Sequence, residues 1–303
     1  MSEARGLLAA AATGVQVGAA MVATRALAGE LGPVTLALAR YAVALAVLLP
    51  VFLARPRQRV AGRDLGPMLL LGVAQFGLLI ALLNWGLERI PASRGALIFA
   101  TFPLLTLMLA AALGRERPSW AKALGTLVSL AGVALTLGEG LMQAGGGLAG
   151  GSLAGGLAVL AAAAVGAGCA VFYRPYLLRY PVLQVGTLAM AAAVGALALF
   201  ALPERPLASL LRLGPRAGLL VLFIGLSSGV GYLLWLTALR HTTPTRATVL
   251  LGLSPVTAAL FGPLLLGERP GAALWLGLAL VLAGAGLASR GGWRRNEPLH
   301  SRG

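Results

Sequence analysis

The side chains that could do chemistry in this chain are few, and several recur at one fixed spacing. Arg94 and Arg246 lie 152 residues apart, as do Pro103 and Pro255, and Glu116-Arg117-Pro118 and Glu268-Arg269-Pro270. Arg40 stands alone, deep inside an apolar run. An ionised group there is costly unless it finds a partner, so it marks a functional position. Its candidate partners are exposed backbone carbonyls or a solute carboxylate. The chemistry these residues suggest is attraction and gating of a solute, not bond making.

Catalysis has little to work with. All nine carboxylates (Glu3, Glu30, Asp64, Glu88, Glu116, Glu139, Glu204, Glu268 and Glu297) fall at the ends of apolar runs or between them. His241 closes one such run and His300 lies in the tail, so neither forms a proton relay. There is no H-E-x-x-H, no cluster of His and Cys ligands and no G-x-x-x-x-G-K-[S/T] phosphate loop, and the single lysine is Lys122. No catalytic residue, metal site or cofactor is expected, and no ATPase is carried in the chain. Uniport or exchange fits this distribution better than a wired proton path.

The elements that position these residues follow from composition and from the repeat. The chain is 58% hydrophobic and 11% charged, with a mean hydropathy of +0.88. A soluble domain carries about 25% charged residues. Helical spanning takes roughly 20 apolar residues. Ten windows meet that need, at about 7–24, 33–54, 66–87, 91–113, 119–138, 152–173, 181–202, 216–239, 244–266 and 271–289. The runs are continuous rather than alternating, which excludes a transmembrane β-barrel. Residues 87–135 pair without a gap with 239–287, Gly125 meeting Gly277 and Gly132 meeting Gly284. The fold class expected is an all-α integral membrane protein of ten helices in two five-helix repeats. Five is odd, so the halves enter the membrane from opposite sides and form an inverted repeat. The boundaries expected are repeat 1 at 1–138, a Gly-rich linker at 139–151, repeat 2 at 152–290 and a cytoplasmic tail at 291–303.

A net charge of +15 could suggest nucleic acid, but its placement argues for a lipid bilayer. On the ten-span map sixteen basic residues fall on the side of the N-terminus and seven on the other. This puts both termini in the cytoplasm by the positive-inside rule. The three arginines of 203–216 fall on the opposite side to that preference. Reading Arg5 and the following Ala/Leu run as a cleaved signal peptide leaves nine spans and breaks the two-fold count. Cys169 is alone within a span, so no disulfide framework exists.

Pro103 and Pro255 sit about halfway along spans 4 and 9. Each removes a backbone bond and bends its helix, which leaves the carbonyls of Phe99 and Leu251 to be satisfied near the midplane. Packing alone is the competing use. Arg94 and Arg246 lie in the first turns of the same spans and Glu116 and Glu268 at their far ends. They read either as snorkelling or locally paired charges or as mirror-related gates that form ion pairs between the halves. An amphiphilic cavity would draw on Gln16, Arg40, Gln75, Phe76, Trp85, Phe99, Ser227, Tyr232 and Trp235. Further polar and aromatic residues in spans are Asn84, Thr101, Phe102, Tyr173, Tyr176, Gln184, Met190, Ser228 and Ser254. Gln75 with Ser227 and Phe76 with Ser228 occupy equivalent repeat positions. Gly14/Gly18 and Gly225/Gly229 form G-x-x-x-G faces for close helix packing.

The run Tyr232-Leu-Leu-Trp-Leu-Thr-Ala-Leu-Arg-His-Thr-Thr-Pro-Thr-Arg-Ala, followed by Leu253-Ser-Pro-Val and Leu266-Gly-Glu-Arg-Pro, resembles the signature of EamA-type transporters of the drug/metabolite transporter superfamily. Leu87-Glu-Arg-Ile-Pro, Phe102-Pro-Leu and Gly114-Arg-Glu-Arg-Pro carry the same marks more loosely. The resemblance covers essentially the whole chain and implies export of amino acids or other small metabolites by alternating access. One departure is that Arg40 has no polar counterpart near Leu188. Hydrophobic or aromatic amino acids are the favoured solutes. The rivals are exchange or import of phosphorylated or nucleotide-linked metabolites, and a channel or scaffold. The partners expected are a small molecule and the inner or plasma membrane, with the chain a monomer or weak homo-oligomer.

Overall fold

The computed structural model describes residues 2–56, 58–114, 120–121, 124–125, 127–128, 131–132, 134–135, 152–242, 247, 250–268 and 271–290. Within them the chain is helical: α1 (Ser2–Ala26), α2 (Pro33–Leu53), α3 (Gly62–Leu87), α4 (Ala92–Phe99), α5 (Phe102–Ala112), α6 (Ser152–Arg179), α7 (Val182–Phe200), the short α8 (Pro206–Leu211), α9 (Pro215–His241), α10 (Leu253–Leu266) and α11 (Ala272–Arg290). Positions described between 120 and 135 are helical too. Prolines mark the starts, with Pro33 and Pro215 opening α2 and α9 and Pro91 and Pro181 standing just before α4 and α7. A missing N–H costs nothing there.

Seven stretches are long and apolar enough to cross a membrane, α4 and α5 together forming one of them. Leu253–Leu266 has only 14 residues, short of the roughly 20 a span needs, and within α11 the stretch Ala272–Gly284 is likewise a shorter apolar one. The chain is thus an all-helical membrane protein, but among the described residues seven spans rather than ten reach full length. The difference is concentrated where the expected windows 119–138 and 244–266 run into residues outside the described set.

Helix pairing respects the repeat. α1 packs on α9 and α10, and α6 packs on α3, α4 and α5. α9 crosses α2 as α3 crosses α7, while α2 meets α7 and α4 meets α10. Exchanging α1 with α6, α2 with α7, α3 with α9 and α4–α5 with α10 maps this scheme onto itself. Small residues permit the closest crossings. A Cβ on Gly14 would strike the Leu250 carbonyl, and one on Gly18 the Ser254 carbonyl and Thr257. On Gly225 it would meet Val43. The G-x-x-x-G faces thus hold α1 on α10 and α9 on α2.

Three interruptions shape the centre. Residues Val73–Leu78 of α3 form a π-helical segment, a feature that often accompanies functional sites. The stretch Ala92–Ala112 breaks at Ala100–Thr101, so that Pro103 sits in the first turn of α5. The second copy breaks at Leu251–Gly252, and Pro255 follows in the first turn of α10. Both prolines therefore stand just after a helix break, where proline is well tolerated. One expectation needs correction. The Leu251 carbonyl is not left over, because the Ser254 N–H reaches it at 2.8 Å in a tight turn.

Candidate functional site

A cavity of about 80 Å³ lies at the centre, between α1, α2, α3, α4–α5 and α9, with Leu251 closing it from the second copy. Both halves of the chain thus contribute to its wall. Of the residues expected there, Gln16, Arg40, Gln75, Phe76, Phe99, Tyr232 and Trp235 line it. The π segment of α3 presents the consecutive residues Gln75 and Phe76 to the cavity, and Gln75 Oε1 is buried without a hydrogen-bond partner among the described residues. Trp235 Nε1 is in the same condition.

Two aromatic groups frame the space. The Phe76 ring stands edge-on between Tyr41 and Tyr232, at centroid distances of 4.7 and 4.2 Å. Phe102 lies 5.5 Å from Phe99 and 5.9 Å from Trp235. The Phe99–Phe102 pair is tilted and the other three are edge-to-face; such contacts hold rings in one orientation, so the apolar wall is preformed. The polar wall is cross-linked between halves. Arg40 Nε donates to Ser228 Oγ at 2.6 Å, and Ser228 donates onward to the Ile224 carbonyl. Gln16 Nε2 donates to Ser227 Oγ at 3.3 Å, and Ser227 donates to the same carbonyl. Ser227 itself does not line the cavity; it orients Gln16.

The structure does not bring Trp85 to the cavity. It sits at one end of the bundle, half-buried, with the Arg89 guanidinium stacked 3.6 Å from its ring centroid. Sequence reasoning missed Tyr41, Thr13, Thr24 and Met21, which line the space. Tyr41 directly follows Arg40, the one arginine deep inside an apolar run, and that neighbourhood was a usable signal. Gln184 lies away from the cavity, bonded both ways to the backbone of Gln58.

The gate residues divide. Arg246 and Glu116 lie outside the described residues, and Arg94 is half-buried in the first turn of α4. Glu268 is the informative one. Gly267 ends α10 in the left-handed conformation, φ 67°, and turns the next residue back across the bundle. The Glu268 carboxylate then accepts the N–H of Ala92 at 2.7 Å, the N–H of Ser93 at 3.3 Å and the Ser93 hydroxyl at 2.9 Å. A carboxylate from the second half thus caps a helix of the first. Where an ion pair between halves was one expectation, the described partners of Glu268 are helix-end donors instead. Glu204 does the same for α2, accepting the N–H groups of Val34 at 3.1 Å and Thr35 at 2.6 Å. A wider chamber of about 720 Å³ opens at this end, lined by Arg25, Glu30, Glu88 and Glu268 among others.

The opposite end is tied by different chemistry. Tyr180 donates its hydroxyl to Asp64 at 2.8 Å and accepts the Ala61 N–H at 3.2 Å, while Arg179 reaches Asp64 at 3.2 Å. The two halves are therefore tied to each other at both ends of the bundle.

Comparison with known proteins now identifies the architecture. The description of the EamA-like transporter family matches the chain twice, over residues 4–138 and 153–290. The chain belongs to the EamA-like transporter family. It is a transporter of the drug/metabolite transporter superfamily and not an enzyme. Among relatives of this EamA protein, a probable terminal-alkyne amino-acid exporter of Streptantibioticus cattleyicolor is 32% identical over 252 residues, 82% of this chain and 80% of that one. An uncharacterized transporter of Archaeoglobus fulgidus is 26% identical over 259 residues, 84% and 87% of the two chains. A crystal structure superposes with a TM-score of 0.71 at 23% identity, over 98% of this chain and 99% of its own, and shares the fold of this chain.

Proposed function

We propose that this EamA-family protein exports amino acids, with hydrophobic or aromatic ones favoured, by alternating access. In this reading it has ten spans in two inverted five-helix repeats and resides in the inner or plasma membrane with both termini in the cytoplasm. The observation that carries the reading is the central cavity, walled by both halves and lined by aromatic rings beside a few polar groups. Such a lining suits a solute with an apolar body and a compact polar head. Solute pockets measure about 300–1,000 Å³, so a cavity of about 80 Å³ corresponds to a contracted state that expands on loading. Gln16, Arg40, Gln75, Phe76, Phe99, Tyr232 and Trp235 would contact the solute. Pro103 and Pro255 would act as hinges, and Glu268 with Arg94 as part of a gate, mirrored by Glu116 and Arg246. The amino-acid exporter from Streptantibioticus cattleyicolor supports the substrate class. Phosphorylated or nucleotide-linked solutes fit less well, because Arg40 is the one basic residue in the lining among the described residues.

Counterflow in proteoliposomes tests this. Vesicles preloaded with unlabelled leucine or phenylalanine are expected to accumulate the labelled amino acid transiently above equilibrium. Equilibration without that overshoot, in vesicles that pass the amino acid, would identify a channel. No movement of any amino acid in a full panel would refute amino-acid export.

A further inference from the structure

Among the described residues Arg40 is the one charged side chain in the lining of the central cavity, and it is only 7% exposed. Its geometry is fixed by a crossing of two helices. Gly225 lets α9 lie against Val43 and the Arg40 carbonyl of α2, and Ser228, three residues on, shares that face of α9. Ser228 commits its own proton to the Ile224 carbonyl, which turns an oxygen lone pair towards Arg40 Nε, 2.6 Å away. The Tyr41 ring, 5.5 Å from the guanidinium carbon, supports the same orientation. Nε is thus spent. Among the described residues the two terminal NH2 groups have no hydrogen-bond partner, and the lining includes neither Asp nor Glu.

A buried guanidinium without a counter-ion is costly, and its planar fork matches a carboxylate through two parallel N–H bonds. We propose that Arg40, oriented by Ser228, is the residue that grips the solute's carboxylate, so that the solute supplies the counter-ion the protein lacks. The proposal rests on the export reading above and adds the group by which the solute is held. One guanidinium balances one carboxylate; a phosphoryl group would bring more charge than this cavity neutralises. Gln75 Oε1, an unpaired acceptor in the same lining, is suited to the ammonium group of the same molecule.

The test compares each acid with its amide, which differs in the carboxylate alone. Purified protein in nanodiscs is titrated with leucine, leucinamide, phenylalanine, phenylalaninamide, isocaproate and isocaproamide, and apparent affinities are read from the rise in thermal unfolding temperature. Loss of a charge-assisted hydrogen-bonding partner predicts that each binding acid exceeds its amide by about tenfold or more. In Arg40→Gln the ratio is expected to fall within about threefold, and in Ser228→Ala to an intermediate value. A purely structural arginine would lower the stability of the protein with every compound and leave the ratio unchanged. A ratio near one in the wild-type protein would overturn the subsite while leaving amino-acid export standing, and this arm needs no variant to fold. A ratio that survives in Arg40→Gln would overturn it as well. Preference for isocaproate over isocaproamide, with no binding of either amino acid, would support the carboxylate subsite and overturn the amino-acid reading. No response to any of the three acids would overturn the subsite.

Discussion

At the scale of single residues, the polar atoms near the cavity are held by hydroxyls that each have one job. Ser227 and Ser228 both donate to the Ile224 carbonyl, and by doing so offer lone pairs to Gln16 and Arg40 respectively. The glycines are as specific. Gly18 faces the Ser254 carbonyl and Thr257 so closely that a single added carbon has no room. Gly18→Ala is therefore expected to force α1 away from α10 and to lower stability by about 1–3 kcal/mol, the usual cost of overpacking a tight contact. Gly168, on α6, has open space beside it, and Gly168→Ala is the matched control expected to change little or to stabilise the helix slightly. Thermal unfolding of the two variants in one detergent checks this. Equal behaviour would show that the α1–α10 contact is not a tight one.

At the scale of elements, the features that matter are places where helices stop being regular. The π segment of α3 and the breaks at Ala100–Thr101 and Leu251–Gly252 fall beside the cavity residues Gln75, Phe76, Phe99 and Leu251. Pro103 and Pro255 each follow a break, so replacing either by alanine restores one backbone donor and favours a straighter helix. Pro103→Ala and Pro255→Ala are expected to reach the membrane at near wild-type levels yet transport more slowly. Under inverted symmetry the two should shift accessibility in opposite directions, one towards each side. Labelling of Gln16→Cys in a Cys169→Ala background reads that shift. Wild-type transport and unchanged labelling in both would mean that the prolines serve packing alone.

At the scale of the whole molecule, the halves are joined by chemically different ties at the two ends. Glu204 and Glu268 cap helices of the first half at one end, while Asp64, Arg179 and Tyr180 form the tie at the other. In the alternating-access cycle proposed above, opening to one side would release one set while the other holds. The membrane sidedness proposed for those ends rests on the basic residues. With sixteen on the side of the N-terminus and seven opposite, single cysteines in the 55–63 loop and in the 139–150 linker are expected to react with impermeant reagents from opposite faces, the former from the cytoplasm. Labelling of both from the same face would dismantle the ten-span arrangement.

By itself the sequence determined the class of molecule, because apolar length and the scarcity of charge leave a helical membrane protein as the available solution. It also placed Arg40, Gln16, Gln75, Phe76, Phe99, Tyr232 and Trp235 at the cavity, since polar and aromatic residues inside apolar runs must face protein or water. The repeat spacing located both helix breaks through their prolines. Only the tertiary structure decided which polar residues meet. Arg40 finds Ser228 at a separation of 188 residues and Glu268 finds Ser93 at 175, and no local pattern encodes such pairings. Trp85 and Gln184 were legible as polar or aromatic residues in apolar runs, but their depth was not. An end-on stack with Arg89 and a loop backbone at Gln58 claimed them, because a side chain near the end of a helix is taken by whichever partner the fold brings within reach.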